Sequence, residues 1–286
     1  MKSSFSNRDI SDYYDQTEIH YRYFWDLNTS KALHYGFWKP GTQDFRASLE
    51  NTNREMAILA GIKKKDRVLD AGCGVGGSSI FLASELGCEV VGITLSEKQV
   101  ASAVKNAERS EVSNATFFKK DYCDTGFEDA SFDCVWALES VGSASDKENF
   151  LKEAHRLLKP GGRMVIADYF KTFEAPIDQV PVMKNWLNAW AISDLETLSG
   201  FEELLAGNGF FVSKKLNRTK AITPSSKRMY KASWLGMLGT KTYNLFKNAS
   251  PFSKIHYRSG IAQYRALKKG LWDYHVLLTF KRQDIA

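Results

Sequence analysis

The chain of 286 residues reads Val68-Leu69-Asp70-Ala71-Gly72-Cys73-Gly74-Val75-Gly76-Gly77 at its most informative segment. The pattern from Arg67 to Asp70 predicts a short strand, and the apolar spacing of residues 78–86 predicts a helix. Between them, the glycines at 72, 74 and 77 satisfy the spacing G-x-G-x-x-G. Glycines in such a turn let the backbone bend tightly and let a ligand approach closely. We therefore expect a strand, a ligand-binding turn and a helix in succession.

Strands and helices are predicted to alternate around this turn. The predicted strands are 67–70, 89–94, 116–119, 132–138, 163–168, 210–214 and 271–280, and the helices of the central region are 78–86, 96–107 and 146–158. This alternation implies right-handed crossovers between strands that are mostly parallel. We predict an α/β fold with a doubly wound, mostly parallel sheet of seven strands. In such sheets the ligand binds beyond the carboxyl ends of the strands.

Three parts of the chain differ in character. Residues 1–60 are rich in aromatic side chains and predict an N-terminal helical cap, with one helix over 45–60 after the break at Lys39-Pro40-Gly41. Residues 61–170 form the predicted ligand-binding α/β core. Residues 171–286 predict a helical lid, with large apolar groups over 175–198, followed by the last strands of the sheet.

The composition of the chain limits the partners, metal sites and location that we expect for this protein. The net charge is +6, with basic residues concentrated late in the chain. A basic face can attract nucleic acid, anionic lipid or acidic substrates, but we interpret this excess as a solvated surface. Nucleic acid is therefore not an expected partner. None of the four cysteines forms a CxxC pair, so no metal site is predicted. The sequence lacks a signal peptide pattern and a run long enough to span a membrane, which predicts a reducing, cytoplasmic location.

Asp70 distinguishes between two kinds of ligand for the glycine turn. A nicotinamide dinucleotide would place its pyrophosphate over the start of the helix, and a carboxylate at the end of the strand opposes that anion. S-adenosylmethionine (SAM) instead brings an ammonium and a sulfonium group, which a carboxylate attracts. The charge of Asp70 therefore favours SAM, with Gly72 and Gly74 in contact with it, and leaves a nicotinamide-dependent oxidoreductase as the alternative.

Two further strand ends carry polar groups suited to an adenosyl ligand. Thr94 stands at the end of the second strand, where a ribose-binding acid is expected, and Gln99 follows one helical turn later. After the third strand, Asp121 can accept a hydrogen bond from an adenine amine, while the backbone N–H of Tyr122 can donate to a ring nitrogen. These four residues are predicted cofactor contacts.

The segment from Val68 to Gln99, including Gly-Ile-Thr-Leu-Ser-x-x-Gln, resembles the class I SAM-dependent methyltransferases. The similarity extends to the branch of gamma-tocopherol methyltransferases, sterol C-methyltransferases and cyclopropane fatty-acid synthases, in which Thr-Leu-Ser-x-x-Gln replaces the usual acid. The resemblance implies the Rossmann-like methyltransferase fold and SAM as cofactor. Tyr13-Tyr14-Asp15 is similar to the family's aromatic-Asp signature, and Leu33 to Trp38 is similar to its His-x-Gly-aromatic segment. The resemblance thus adds the cofactor contacts Tyr14, Tyr35, Leu95 and Leu138.

The Leu138-Glu139-Ser140 segment is similar to a Glu-Ser pair of the family, but Gly142 and Ser143 stand where the family tends to have an acid and a His. We therefore take Glu139 and His34 as the candidate catalytic residues, for substrate binding, proton removal or positioning. The aromatic residues predict an apolar pocket. Together with the resemblance, this implies a small apolar, aromatic or isoprenoid metabolite as the acceptor, methylated on carbon, oxygen or nitrogen. Alternatives are a SAM-binding protein without catalysis and, as above, an oxidoreductase. Either a monomer or a homodimer is expected.

Overall fold

The computed structural model describes residues 4–25, 27–144, 146–246 and 250–282. In these ranges the helices are α1 (Asn7–Phe24), α2 (Leu27–Ser30), α3 (Phe45–Ala60), α4 (Gly77–Phe81), α5 (Glu97–Arg109), α6 (Lys147–Leu157), α7 (Pro181–Ala189), α8 (Leu198–Gly207), α9 (Thr219–Phe246) and α10 (Pro251–Lys268). The strands are β1 (Arg67–Ala71), β2 (Glu89–Thr94), β3 (Ala115–Lys119), β4 (Phe132–Leu138), β5 (Leu158–Lys171), β6 (Phe210–Asn217) and β7 (Trp272–Lys281).

The seven strands form one sheet in the order β3-β2-β1-β4-β5-β7-β6. Strands β1 to β5 are parallel, whereas β7 pairs antiparallel with both β5 and β6. The direction of winding reverses between β1 and β4, so the loops after these two strands diverge and leave a crevice at their carboxyl ends. This confirms the prediction of a doubly wound, mostly parallel sheet of seven strands.

Apolar side chains cover both faces of the sheet. On one face, Val68 and Trp136 pack with side chains from α3, α7 and α10. On the other face, Leu69 and Val135 pack with side chains from α6 and α8. Neighbouring residues of one strand thus enter different clusters, because successive side chains of a strand point to opposite faces. The sheet is buried on both sides, which explains the nearly continuous apolar character of its central strands.

Several predicted elements match the structure closely, and two differ from it. The predicted helix at 78–86 is α-helical only to Phe81 and continues as a π-helical turn over Leu82–Leu86. Residues 159–162, predicted as a turn, belong to β5, which begins at Leu158. Gly161 has φ +71°, and the pairing with β4 is irregular between Phe132 and Cys134, so the strand absorbs the turn as a bulge.

The carboxyl end of the parallel strands is covered by helices from both ends of the chain. Helix α10 packs against α7 and α9, and α1 packs against α10. The division of the chain into a cap over residues 1–60, a core over 61–170 and a lid with the last strands over 171–286 stays a prediction. Among the described helices, none combines the length and apolar character needed to cross a membrane.

Candidate active site

A cavity lies between the carboxyl ends of β1, β2 and β4 and the N-terminal helices. Eleven of the thirteen predicted site residues line it: Tyr14, His34, Asp70, Gly72, Gly74, Thr94, Leu95, Gln99, Tyr122, Leu138 and Glu139. The other two, Tyr35 and Asp121, are not among its lining residues. Its wall also contains side chains that the sequence did not single out as site residues, including Ile10, Tyr13, Tyr21, Ser143, Tyr169, Trp190 and Ile192.

The glycine turn after β1 lies directly against the loop after β4. Gly72 has φ +97°, and a Cβ built on it would lie 2.5 Å from the Cβ of Ser140. The backbone N–H groups of Gly72 and Cys73 both donate to the carbonyl oxygen of Ile93, at 3.0 and 2.9 Å, which joins the turn to β2. Only glycine satisfies both the left-handed backbone and the close approach at this position.

Asp70 presents a desolvated carboxyl group to the cavity. Its Oδ2 accepts a hydrogen bond from the hydroxyl of Ser79 at 2.6 Å. In the parts of the chain that the structure describes, Asp70 forms no ion pair with a lysine or arginine. Burial therefore raises the pKa of Asp70 to about 6, in spite of the bond from Ser79. A cationic ligand placed here would stabilise the ionised carboxylate.

The edge of the cavity at β2 is formed by a hydrogen-bonded pair. Thr94 Oγ1 donates to Gln99 Oε1 at 2.6 Å. This bond leaves the Gln99 amide N–H groups as donors and the Thr94 oxygen as an acceptor, a combination that suits a ribose diol. Ser96, the N-cap residue of α5, donates to Asp15 Oδ1 at 2.6 Å and so connects α1 to this edge. The Asp of the Tyr-Tyr-Asp segment thus holds the cap in place.

Glu139 is held in a strained and precise position at the end of β4. Its φ is +52°, uncommon for a residue with a side chain, and its backbone N–H donates to Ala167 O at 2.8 Å. Its Oε1 accepts from the Tyr35 backbone N–H and from the Tyr274 hydroxyl, each at 2.8 Å. Burial, with a smaller contribution from the charge of Asp168, raises the pKa of Glu139 to about 8, although the two hydrogen bonds oppose the shift.

His34 is buried, and one of its ring nitrogens lies close to a backbone carbonyl oxygen. Its Nδ1 lies 2.9 Å from the carbonyl oxygen of Tyr35, which requires the proton on Nδ1. Nε2 is then an acceptor, and it is buried without a hydrogen-bond partner. Because burial lowers the pKa of His34 to about 4, the ring is neutral near pH 7. A ligand that donates a hydrogen bond would satisfy this nitrogen.

Tyr35 and Asp121, both predicted cofactor contacts, lie outside the wall of the cavity. The ring of Tyr35 packs in the core, and its hydroxyl donates to Gln263 Oε1 at 3.1 Å. Its backbone contacts the site: the N–H donates to Glu139 Oε1, and the carbonyl oxygen lies 2.9 Å from His34 Nδ1. The carboxylate of Asp121 accepts from Asn7 Nδ2 at 2.5 Å and from the Cys123 backbone N–H at 2.8 Å. Both its oxygens are engaged within the protein, outside the wall of the cavity.

Two tyrosines connect the remaining loops of the cavity. The Tyr122 hydroxyl donates to the carbonyl oxygen of Ser140 at 3.0 Å. The Tyr14 hydroxyl forms a hydrogen bond with the side chain of Ser143, while burial raises the pKa of Tyr14 to about 12. Ser143, which stands where the resembling family tends to have a His, is therefore a polar contact between the cap and the loop after β4.

A second set of polar side chains extends from the cavity wall toward α10. The Tyr13 and Tyr21 hydroxyls are 2.7 Å apart, and Tyr13 Oη lies 3.2 Å from His256 Nε2. On the other side of its ring, His256 Nδ1 lies 3.0 Å from His20 Nδ1. The sequence offered no signal for this cluster, because its members come from two helices more than two hundred residues apart and meet only after folding.

These features define an α/β protein whose cavity suits a cationic nucleoside ligand. The glycine turn admits the ligand close to the backbone, and Asp70 supplies a carboxylate for an ammonium group. Thr94 and Gln99 offer hydrogen bonds for a ribose, and the neutral His34 offers a further acceptor. The residues present fit the amino-acid and ribose parts of SAM, whereas no cationic cluster for a pyrophosphate lines the cavity in the described part of the chain.

Comparison with known proteins agrees with this class. A family model described as "Methyltransferase domain" matches residues 68–162. Geranyl diphosphate 2-C-methyltransferase of Saccharopolyspora erythraea is 32% identical over 67% of this chain and 72% of its own length. The chloroplastic tocopherol O-methyltransferase of Arabidopsis thaliana is 35% identical over 56% of this chain and 49% of its own. The cyclopropane synthase MmaA2 of Mycobacterium tuberculosis shares the fold, with a TM-score of 0.82, 15% identity and coverage of 97% and 99%.

The chain belongs to the class I SAM-dependent methyltransferases. This confirms the resemblance and the predicted cofactor, SAM, and gives no support to a nicotinamide-dependent oxidoreductase. The chain spans about half the length of some curated relatives that it matches, 49% and 51% for two of them.

Proposed function

We propose that this protein transfers a methyl group from SAM to a small, apolar metabolite of aromatic or isoprenoid character. The observation that carries the proposal is the position of Glu139, whose carboxyl shares one cavity with Asp70 and the apolar side chains of Trp190 and Ile192. The same cavity thus offers polar groups that suit the cofactor and apolar side chains that suit an apolar acceptor. The relatives named for tocopherol and geranyl diphosphate support an acceptor of this kind.

The bound cofactor supplies an activated methyl group, so the protein mainly positions the reactants and excludes water. Asp70 binds the ammonium group of the amino-acid moiety, and the Thr94–Gln99 pair orients the ribose. The tyrosines of the cap close over the cavity and separate it from solvent.

Glu139 is placed to accept a proton from the acceptor. A carboxyl with a pKa raised to about 8 is protonated over much of the neutral range, but a sulfonium cation nearby lowers the pKa and favours the carboxylate. The hydrogen bonds from Tyr35 and Tyr274 both reach Oε1, which leaves Oε2 for the reacting group. His34 Nε2 provides a second acceptor that orients a hydroxyl of the substrate.

The test is transfer from methyl-labelled SAM to acceptors of graded polarity, with products partitioned between organic and aqueous phases. We expect labelled product from prenylated or aromatic acceptors, and its loss in Glu139→Gln. The matched control is Glu203→Gln, since Glu203 is exposed on α8 and does not line the cavity. Labelling of highly polar acceptors alone would refute the apolar acceptor.

The non-catalytic SAM-binding protein is the second candidate function, and the same experiment separates it from an enzyme. That candidate requires SAM binding with no labelled product from any acceptor, including a whole-cell extract. A comparison of thermal shifts with SAM and NADH checks the cofactor independently of transfer. We also propose a reducing, cytoplasmic location and a monomeric or homodimeric state. The four free cysteines agree with a reducing location.

A further inference from the structure

Charge is strongly segregated along this chain. Residues 219–272 contain eleven lysines and arginines and no aspartate or glutamate. This segment therefore carries +11, while the whole chain carries +6 and the remainder a net −5. The segment comprises α9 and α10, which pack against each other as a helical hairpin. A basic element on an otherwise acidic protein directs that element toward a polyanion.

The exposed residues of α9 form one face of the helix. They recur at spacings of three and four, which places them on a single stripe. The half of the stripe near the start of α9 is basic, with Lys227, Arg228 and Lys231. The half nearer the hairpin turn is apolar: Trp234 is 40% exposed, Leu235 65% and Leu238 61%.

The stripe continues into a groove on α10. The ring of Trp234 contacts Tyr230 edge-on at 6.2 Å, and Tyr230 packs against Tyr264 at 5.0 Å. Tyr230 and Tyr264 line a surface groove with four exposed cations of α10 and the turn after it: Arg258, Arg265, Lys268 and Lys269. Across the described ranges, none of these four forms an ion pair with a carboxylate.

We propose that the α9–α10 hairpin docks on the surface of a membrane that contains anionic phospholipids. Trp234, Leu235 and Leu238 enter the boundary between headgroups and acyl chains, as the apolar face of an interfacial helix does. The cations of α9 and of the groove contact the lipid phosphates. Tyr230 and Tyr264 lie between the apolar residues and the cations, at the depth where a side chain with an apolar body and a polar end is favoured.

The apolar half of the stripe distinguishes a membrane from a nucleic acid. A single exposed tryptophan could stack on a base, but two aliphatic side chains more than half exposed gain little from contact with a phosphate backbone. Burial in lipid removes their apolar surface from water. The exposed leucines and the cations are therefore explained together by a lipid surface.

Docking of this hairpin would bring the cavity close to the lipid. Helix α7 borders the groove through Val182 and Asn185, and its other face buries Met183 and Trp186 in the core. Trp190, directly after α7, lines the cavity. The same helices therefore separate the lipid-facing groove from the site. The inference itself rests on the charge and exposure of the hairpin and not on the proposed function.

Co-sedimentation of the full chain with vesicles tests the docking, without SAM or an acceptor. We expect binding to vesicles of phosphatidylcholine with phosphatidylglycerol, and weak binding to phosphatidylcholine alone. Because each cation near such a surface contributes about 1 kcal/mol, Arg258→Gln with Arg265→Gln and Lys268→Gln should weaken binding by more than about tenfold. Replacing Trp234, Leu235 and Leu238 by Ser should also weaken binding, and this loss should persist at high salt.

Two control variants carry comparable substitutions outside the hairpin. Lys63, Lys64 and Lys65 are exposed before β1, so replacing all three by Gln removes the same charge from another surface. Ile58→Ser removes an exposed apolar side chain outside the hairpin. Both controls should bind vesicles like the unmodified protein. Equal loss in the controls, or binding to DNA or RNA in preference to anionic vesicles, would overturn the proposal.

Discussion

The affinity for SAM should depend on the ionisation of Asp70, which can be measured directly. Burial raises the pKa of this carboxyl to about 6. The α-amino group of an amino acid stays protonated below about pH 7.7, so between pH 5 and 7 the carboxyl is the group that titrates. If binding requires the carboxylate, the affinity should fall about tenfold from about pH 7 to about pH 5, because the ionised fraction falls from roughly nine tenths to one tenth.

Replacing Asp70 by Asn should remove both the charge and this pH dependence. A hydrogen bond to a charged group contributes about 1.5–3 kcal/mol, so the affinity at about pH 7 should fall by roughly ten- to hundredfold. Isothermal titration calorimetry at several pH values gives both quantities. In buffers of different ionisation enthalpy, it should also detect proton release from the unmodified protein when SAM binds below about pH 6.

Asp168→Asn is the matched control for this titration. Burial also raises the pKa of Asp168 to about 6, but its carboxylate accepts from the backbone N–H groups of Gly142 and Tyr169 and does not line the cavity. Its replacement should leave the pH dependence of SAM binding in place. A flat profile in the unmodified protein, or an unchanged slope in Asp70→Asn, would refute the assignment of the ammonium group to Asp70.

Two further predictions concern the loop after β4 and the glycine turn. The pKa of Glu139 is raised from 4.5 to about 8, so the folded protein favours the neutral carboxyl. The resulting stabilisation of the folded state is complete below pH 4.5 and is lost as the pH rises through about 8. Thermal unfolding should therefore show the stability of Glu139→Gln relative to the unmodified protein increasing from about pH 4.5 and levelling off above about pH 8. In Tyr274→Phe, which lacks a bond that lowers the pKa, the upper end of this pH window should move upward; parallel profiles would contradict the assignment. Gly72→Ala should lower the free energy of unfolding by at least about 1–3 kcal/mol, because it combines a strained φ with a clash against Ser140. Gly207→Ala, with no atom near its added Cβ, should not destabilise, and chemical denaturation of both variants measures the difference.

Local sequence patterns were sufficient to predict the architecture of this chain. Alternating strands and helices predicted the sheet, and the helix over Phe45–Ala60 and the strand over Phe132–Leu138 have the predicted bounds. The charge of Asp70 beside the glycine turn predicted the kind of cofactor. These inferences succeed because hydrophobic period, glycine backbone freedom and the sign of a charge act over a few residues.

Tertiary structure alone assigned the surroundings of Glu139. Its partner Tyr274 lies on the antiparallel strand β7, 135 positions along the chain, and reaches Oε1 only because β7 enters the sheet between β5 and β6. It also placed the ring of Tyr35 in the core and its backbone N–H against Glu139. Long-range pairing of this kind depends on how the whole sheet and its cover pack together, a property that no short segment of the sequence contains.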